Sequence, residues 1–197
     1  MTGPDRNPTW LWTSVPHQDE EMNIVVPVAE DEGFGWIHKA MRLNLLMQGI
    51  SPTYVDLKET LDADFAYDRL IRNLWRQGDP FVLVEHDILP WPGAILQLWE
   101  CEHPWCGFEY MVKGELRSYL GCVKFDPSRL GPCPLPTEPL VWTSLDLEII
   151  RTLSERGHPG HLHRPAVAHL NYGHQRITNR AGVMRPDWMA PTERGAS

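Results

Sequence analysis

Three short apolar runs separated by two helical repeats constrain this chain more than anything else in it. The runs are NIVVPV at 23–28, PTYVDL at 52–57 and FVLVE at 81–85, β-branched or continuously apolar as strands covered on both faces are. Between the first two, positions 36, 37, 40, 41, 43, 45, 46 and 47 are apolar, which predicts a strongly buried helix over 36–48 stopped by Gly49. Between the second and third, Leu70, Ile71, Leu74 and Trp75 recur at helical spacing within 66–77, ahead of Gly78. A β-α-β-α-β order needs crossover helices. These make neighbouring strands parallel and leave ligands to bind beyond the carboxyl ends of the strands.

Further along, 92–99 and 145–156 have helical patterns, the second closed by Gly157, while 105–111, 119–125 and 166–170 have the character of strands. A chain of 197 residues is sufficient for one substantial core and too short for two ordinary domains joined by a linker. The expected division is an irregular arm over 1–22, packed by Trp10 and Trp12, one α/β domain over 23–174, and a polar, aperiodic tail over 175–197. The arm has no basic stretch followed by an apolar one, so no secretion signal is expected, and no apolar run is long enough to span a bilayer. With four cysteines, too few for a disulfide scaffold at this length, a cytoplasmic location is expected.

The formal net charge of -8 argues against general nucleic-acid binding, which depends on clustered Lys and Arg. It also implies that an anionic ligand would need a bound cation to be held here. Glu85-His86-Asp87 follows FVLV directly, where a parallel strand opens to solvent. Alternation along a strand would turn Glu85 and Asp87 to one side and His86 to the other. Carboxylate oxygens suit Mg²⁺ or Mn²⁺, which commonly complete their coordination with phosphates and water.

In this layout EHDILPWPGAI resembles the metal motif of the GT-A nucleotide-sugar glycosyltransferases, which ends a hydrophobic strand and is often followed by proline and a helix. Three further segments resemble the same family in order. GCVKF, from Gly121, is similar to its glycine-containing loop beside the donor sugar, where a missing side chain lets substrate approach. Ser144-Leu145-Asp146 is similar to the acidic motif whose carboxylate is the catalytic base of inverting members. His169 in RPAVAHLNYGH is similar to a C-terminal histidine that joins the metal. IVVPVAEDEGF resembles the strand and loop that receive the nucleoside, through Pro27, Val28 and Ala29, and Asp56 matches an acidic position contacting base or ribose.

The resemblance covers 23–174 and implies a single-domain GT-A-like (Rossmann-like) fold: a mostly parallel sheet flanked by helices, with a short mixed C-terminal part. It implies an inverting, metal-dependent transfer of sugar from a nucleoside-diphosphate sugar to a hydroxyl acceptor, a glycan or a modified nucleobase. Asp87, His169 and Glu85 would hold Mn²⁺ or Mg²⁺, and Asp146 would be the base. Two residues depart from the pattern: Glu85 replaces the usual first Asp, and no acidic residue precedes Asp146 closely in its motif. The rival readings are a nucleotidyltransferase, against which the acidic EDEGFG loop speaks, and a non-catalytic nucleotide-sugar-binding protein.

Asp146 could instead cap its helix. Five histidines lie between 158 and 174, so His161, His163 and His174 are alternatives to His169. Cys101, His103, Cys106 and Cys122 are either zinc ligands or packed side chains.

Overall fold

The structure is a computed structural model and describes residues 22–28, 35–57, 65–112, 115–117, 120–164, 166–171 and 176–178. The expected N-terminal arm apart from residue 22, Ala29 and the loop to residue 34, His174, and the tail apart from 176–178 lie outside the described residues. Strands β1 (Ile24–Val28), β2 (Thr53–Asp56) and β3 (Phe81–Val84) alternate with helices α1 (Gly35–Met47) and α2 (Ala66–Gln77), as the apolar periods require. The chain continues through β4 (Ile88–Pro90), α3 (Ala94–Trp99), β5 (Trp105–Phe108), β6 (Tyr110–Val112), β7 (Glu115–Arg117) and β8 (Cys122–Phe125). It ends with α4 (Pro127–Leu130), α5 (Trp142–Glu155), β9 (His161–His163), β10 (Val167–Asn171) and β11 (Arg176–Thr178).

Six strands form one sheet in the order β2-β1-β3-β8-β5-β9. β1 is parallel to β2 and β3, β5 is parallel to β9, and β8 runs antiparallel to both its neighbours. Strand parity then sorts the core into two layers. Val26, Val28, Val82, Val84, Cys106 and Phe108 pack with Met41 and Leu45 of α1 and Ile95 and Leu98 of α3. Val25, Phe81, Leu83, Val123 and Phe125 pack with Leu70, Ile71, Leu74 and Trp75 of α2 and with Leu145, Ile149 and Leu153 of α5. A mostly parallel sheet with helices on both faces is the expected α/β architecture, consistent with a single-domain GT-A-like fold.

A second sheet, β11-β10-β4, is antiparallel and provides the mixed C-terminal part. Its strand β11 falls in the stretch that sequence assigned to the tail. The expectation of a strongly buried α1 needs correction. His38, Met41 and Leu45 are buried, but Leu43, Leu46 and Met47 are 56%, 71% and 73% exposed, so the helix is covered on one side only.

The segment leading into α5 is tied to α2 by one buried carboxylate. Asp68 accepts from Arg72 Nε at 2.6 Å, from a second Arg72 nitrogen at 3.1 Å, and from the Leu140 backbone N–H at 3.1 Å. Arg72 also donates to the Pro136 carbonyl. Replacing Asp68 with Ala strips partners from a guanidinium and a backbone N–H together. Urea denaturation of Asp68→Ala should show a loss of about 2–4 kcal/mol, and a midpoint equal to that of the parent chain would show that this tie does not stabilise the fold.

Candidate active site

β3 ends at Val84, one residue short of the sequence expectation, and the acidic motif that follows is a turn. The Glu85 N–H donates to the Gly121 carbonyl at 2.8 Å, and the Glu85 carbonyl accepts from the Ile88 N–H at 3.0 Å, closing the loop over four residues. The alternation expected for a continuing strand is therefore not what orients these side chains. The turn reverses the chain into β4, which pairs with β10 so that Ile88 stands opposite His169. The Leu170 N–H donates to the Asp87 carbonyl at 2.7 Å, and His169 Nε2 comes to 3.1 Å from Asp87 Oδ2. Both side chains are largely buried.

Glu85 lies beside this pair. Burial, reinforced by the neighbouring charges of Asp87 and Asp146, pushes its carboxyl well above the usual carboxylate range. Asp146 is itself raised to about 6, mainly by burial, against which a hydrogen bond from the Leu120 backbone acts. Among the described residues, the basic side chain that meets any of these three carboxylates is His169, at Asp87. α5 begins at Trp142, three residues before the sequence expectation, so Asp146 sits past its first turn and is not the cap considered from sequence. His86 turns toward α1 and meets His38 edge to face at 5.0 Å between ring centroids. Burial lowers its pKa, with the neighbouring Asp87 acting in the opposite direction.

Gly121 needs its missing side chain for a reason that sequence did not supply. A Cβ there would collide with the Tyr110 hydroxyl and ring and press on Ile88, so the space is filled by protein and not left open to a ligand. Tyr110, buried and stacked nearly parallel on the His169 imidazole at 5.7 Å, wedges between the Gly121 backbone and that histidine. Its phenol is pushed well above its ordinary pKa by burial and then by Glu85, Asp146 and Asp87, so it stays protonated. Sequence placed Tyr110 in a strand without a role. Its only signal was alternation with the buried Phe108.

The other predicted positions lie along the same sheet edge. Val28 and Asp56 are register partners at the carboxyl ends of β1 and β2. Pro27 and Val28 are buried in the strand, and the Val28 carbonyl is engaged by the Leu57 N–H at 2.9 Å, while Asp56 is exposed. Of the rival histidines, His161 and His163 are on β9 at the far edge of the sheet, so they do not compete with His169 at Asp87. Cys106 and Cys122 are packed in the core, the second of the two readings from sequence, while Cys101 has its ligand atom beside His161 and His163.

No family model matches the chain, and no curated protein matches it. Among solved structures, A197 from STIV matches with a TM-score of 0.52 at 7% identity over 82% of this chain and 94% of that one, which establishes a shared fold. Looser likenesses are to two glycosyltransferases. One is the catalytic domain of Drosophila beta1,4-galactosyltransferase 7 in complex with xylobiose, with a TM-score of 0.47 at 15% identity over 81% of this chain and 75% of that one. The other is a glycosyltransferase involved in glycosylation of the major capsid of PBCV-1, with a TM-score of 0.44 at 13% identity over 73% of this chain and 82% of that one. At those scores the likeness is too loose to carry an inference. No helix among the described residues is long and apolar enough to cross a membrane.

Holding Asp146 ionised in this setting costs stability. Its folded pKa of about 6 exceeds the ordinary aspartate value of 3.8, so the folded state binds the proton more tightly. Stability is highest below the lower value, falls as pH rises through the interval, and stays reduced above it. In metal-free protein at neutral pH, Asp146→Asn should therefore raise stability by on the order of 1–3 kcal/mol, with the gain vanishing toward pH 4. Thermal melts across that range test this, and a variant less stable than the parent at neutral pH would contradict it.

Proposed function

We propose that the chain is a metal-dependent glycosyltransferase that moves a sugar from a nucleoside-diphosphate sugar to a hydroxyl acceptor with inversion. The observation that carries this reading is the junction of Asp87 with His169 at 3.1 Å, crowded by Glu85 and within electrostatic reach of Asp146, beyond the carboxyl end of β3. The Asp87 carboxylate and His169 imidazole, with the Glu85 carboxylate nearby, suit Mn²⁺ or Mg²⁺, and a cation would relieve the repulsion that Asp87 and Asp146 add to burial in raising the Glu85 pKa. When bound, the ion would neutralise charge on the departing diphosphate.

The chain's own residues do the remaining work. The Leu170 N–H and the turn at 85–88 hold Asp87 and Glu85 in place, while Tyr110 packs against the His169 ring. Asp146 accepts the proton of the acceptor hydroxyl as that oxygen bonds to the anomeric carbon and the bond to the diphosphate breaks. A carboxylate with its pKa raised to about 6 is a stronger base than an ordinary aspartate, yet it is still ionised at neutral pH. Pro27 and Val28 border the nucleoside end, with Ala29 following, and the exposed Asp56 carboxylate suits ribose hydroxyls. Gly121 contributes by admitting Tyr110 and by accepting the Glu85 N–H. The acceptor class, a glycan or a modified nucleobase, follows from the family resemblance. The net charge of -8 favours an acceptor without a long polyanionic backbone.

A thermal-shift panel of nucleoside diphosphates should give a rise in melting temperature for a preferred base only when Mn²⁺ is present. That rise should disappear in Asp87→Ala and His169→Ala and persist in Asp146→Asn. In the matching nucleotide-sugar hydrolysis or transfer assay, Asp146→Asn should fall at least about 100-fold. For the parent, kcat/KM should climb as pH rises through about 6, because the base must lose its proton to act. Metal-dependent nucleotide binding that survives Asp87→Ala would remove the metal assignment. Full turnover by Asp146→Asn would remove the base.

A further inference from the structure

A second group of metal-type ligands lies at the opposite edge of the large sheet, on strand β9. β9 pairs in parallel with β5, placing His161 beside Cys106 and His163 beside Phe108. Residues two apart on a strand share a face, so both imidazoles emerge on the side where α3 packs through Ile95 and Leu98. Cys101 follows α3 directly, and its N–H donates to the Leu98 carbonyl at 3.1 Å, so the helix exit delivers its thiol to the same place. One ligand atom from each of Cys101, His161 and His163 lies within 4.8 Å of the others.

Neighbouring groups orient these side chains. His103 stacks flat on His161 at 4.3 Å between centroids, 7° from parallel, and His161 meets His163 edge to face at 4.6 Å. His163 Nδ1 is 3.2 Å from the Gln97 side-chain amide nitrogen, whose place the near-isosteric amide oxygen can take by a half-turn, while His163 Nε2 is buried without a hydrogen-bond partner. With the Gln97 amide turned so that its oxygen accepts from Nδ1–H, Nε2 keeps a lone pair. Metal-bound histidines commonly donate their other ring N–H to an oxygen in this way. A buried ring nitrogen with no partner is costly unless something binds it. Lys124, the nearby cation, has its ammonium engaged by the carbonyls of Trp99 and Cys101. Gly160 and the Trp105 ring lie too close for a Cβ between them, and Trp105 Nε1 donates to the His158 carbonyl at 2.8 Å, which sets the approach of β9.

We propose that Cys101, His161 and His163, the last through Nε2, bind a zinc ion that fastens the edge strand β9 to the exit of α3. A thiolate with two imidazoles is a donor set for Zn²⁺ and is unsuited to Mg²⁺ or Mn²⁺, and water takes the fourth tetrahedral position. Binding releases the Cys101 thiol proton to solvent as the sulfur–zinc bond forms. This site is independent of the one at Asp87, from which it differs in ligands and place.

Full-length protein, loaded with Zn²⁺ and dialysed against metal-free buffer, should retain about one zinc per chain by atomic emission. Co²⁺ in its place should give the near-ultraviolet charge-transfer band of a cobalt–thiolate bond. Cys101→Ser should lose the band and the retained zinc, His161→Ala should lose the zinc, and Asp87→Ala should keep both. Gln97→Ala should weaken zinc binding by about 10-fold or more. Circular dichroism identifies any variant that has unfolded, and His161→Ala, on the sheet edge, decides the matter where Cys101→Ser does not fold. Zinc lost on dialysis of the parent, zinc retained by folded Cys101→Ser or His161→Ala, or zinc lost in Asp87→Ala would each overturn the proposal.

Discussion

The short antiparallel ladder between β4 and β10 is the interaction on which the rest of this site depends. Its register sets His169 against Ile88, and the Leu170 N–H to Asp87 carbonyl bond extends the pairing into the acidic turn. A slip of one residue would turn His169 to the opposite face, because side chains alternate along a strand. The contact between Asp87 and His169 is therefore set by backbone hydrogen bonds between segments far apart in sequence, and it does not rely on the freedom of two side chains to find each other. β4 exists because the turn at 85–88 ends β3 sharply, and that turn is anchored to Gly121, just ahead of the antiparallel strand next door. The one reversed strand of the sheet thus has a specific consequence. It puts Leu120 and Gly121, which lead into β8, at the carboxyl end of β3, where a parallel neighbour would have been ending.

Packing and electrostatics oppose each other at this point. Tyr110 fills the space beside Gly121 and stacks on His169, so the carboxylates stand against a dense, partly apolar wall. The same wall removes water from Glu85 and Asp146 and raises both above their ordinary values. Conflicts of this kind concentrate at functional sites, because a group that is costly to ionise is a better base or a more avid cation ligand. The two cores on either side of the sheet supply the stability against which that cost is set.

The fold was legible in sequence where one periodicity dominated. β1, α1, β2, α2 and β3 each carry a run or repeat that local chemistry explains without knowledge of partners. Short strands were not legible: β4 and β9 have three residues each, too few to display alternation, and both are defined by the strands they pair with. The start of α5 was misplaced because Trp142, Thr143 and Ser144 precede its apolar repeat and Val141 makes no side-chain cap. Leu43, Leu46 and Met47 looked buried because apolar character was counted all round the helix, whereas the sheet covers only one side. At the site, motif context singled out Asp87, His169 and Asp146, which the fold brings to one place. Tyr110 was not, since its importance lies in the void left by a glycine ahead of another strand.

The histidines show most clearly how topology resolves what composition leaves open. His161, His163 and His169 lie within one short stretch, and sequence treated them as competing for one ion. The fold separates them. His161 and His163 enter the large sheet at its edge beside β5, whereas His169 leaves that sheet and joins the smaller one against β4. The switch of sheets occurs over the few residues between β9 and β10, and it sends imidazoles of the same run to opposite chemical company. At β4 the company is carboxylate, and at the exit of α3 it is a thiol. Hard oxygen donors and soft sulfur donors select different metals, so under the two proposals a short link between two sheets would divide one histidine-rich segment into two sites with distinct metal preferences.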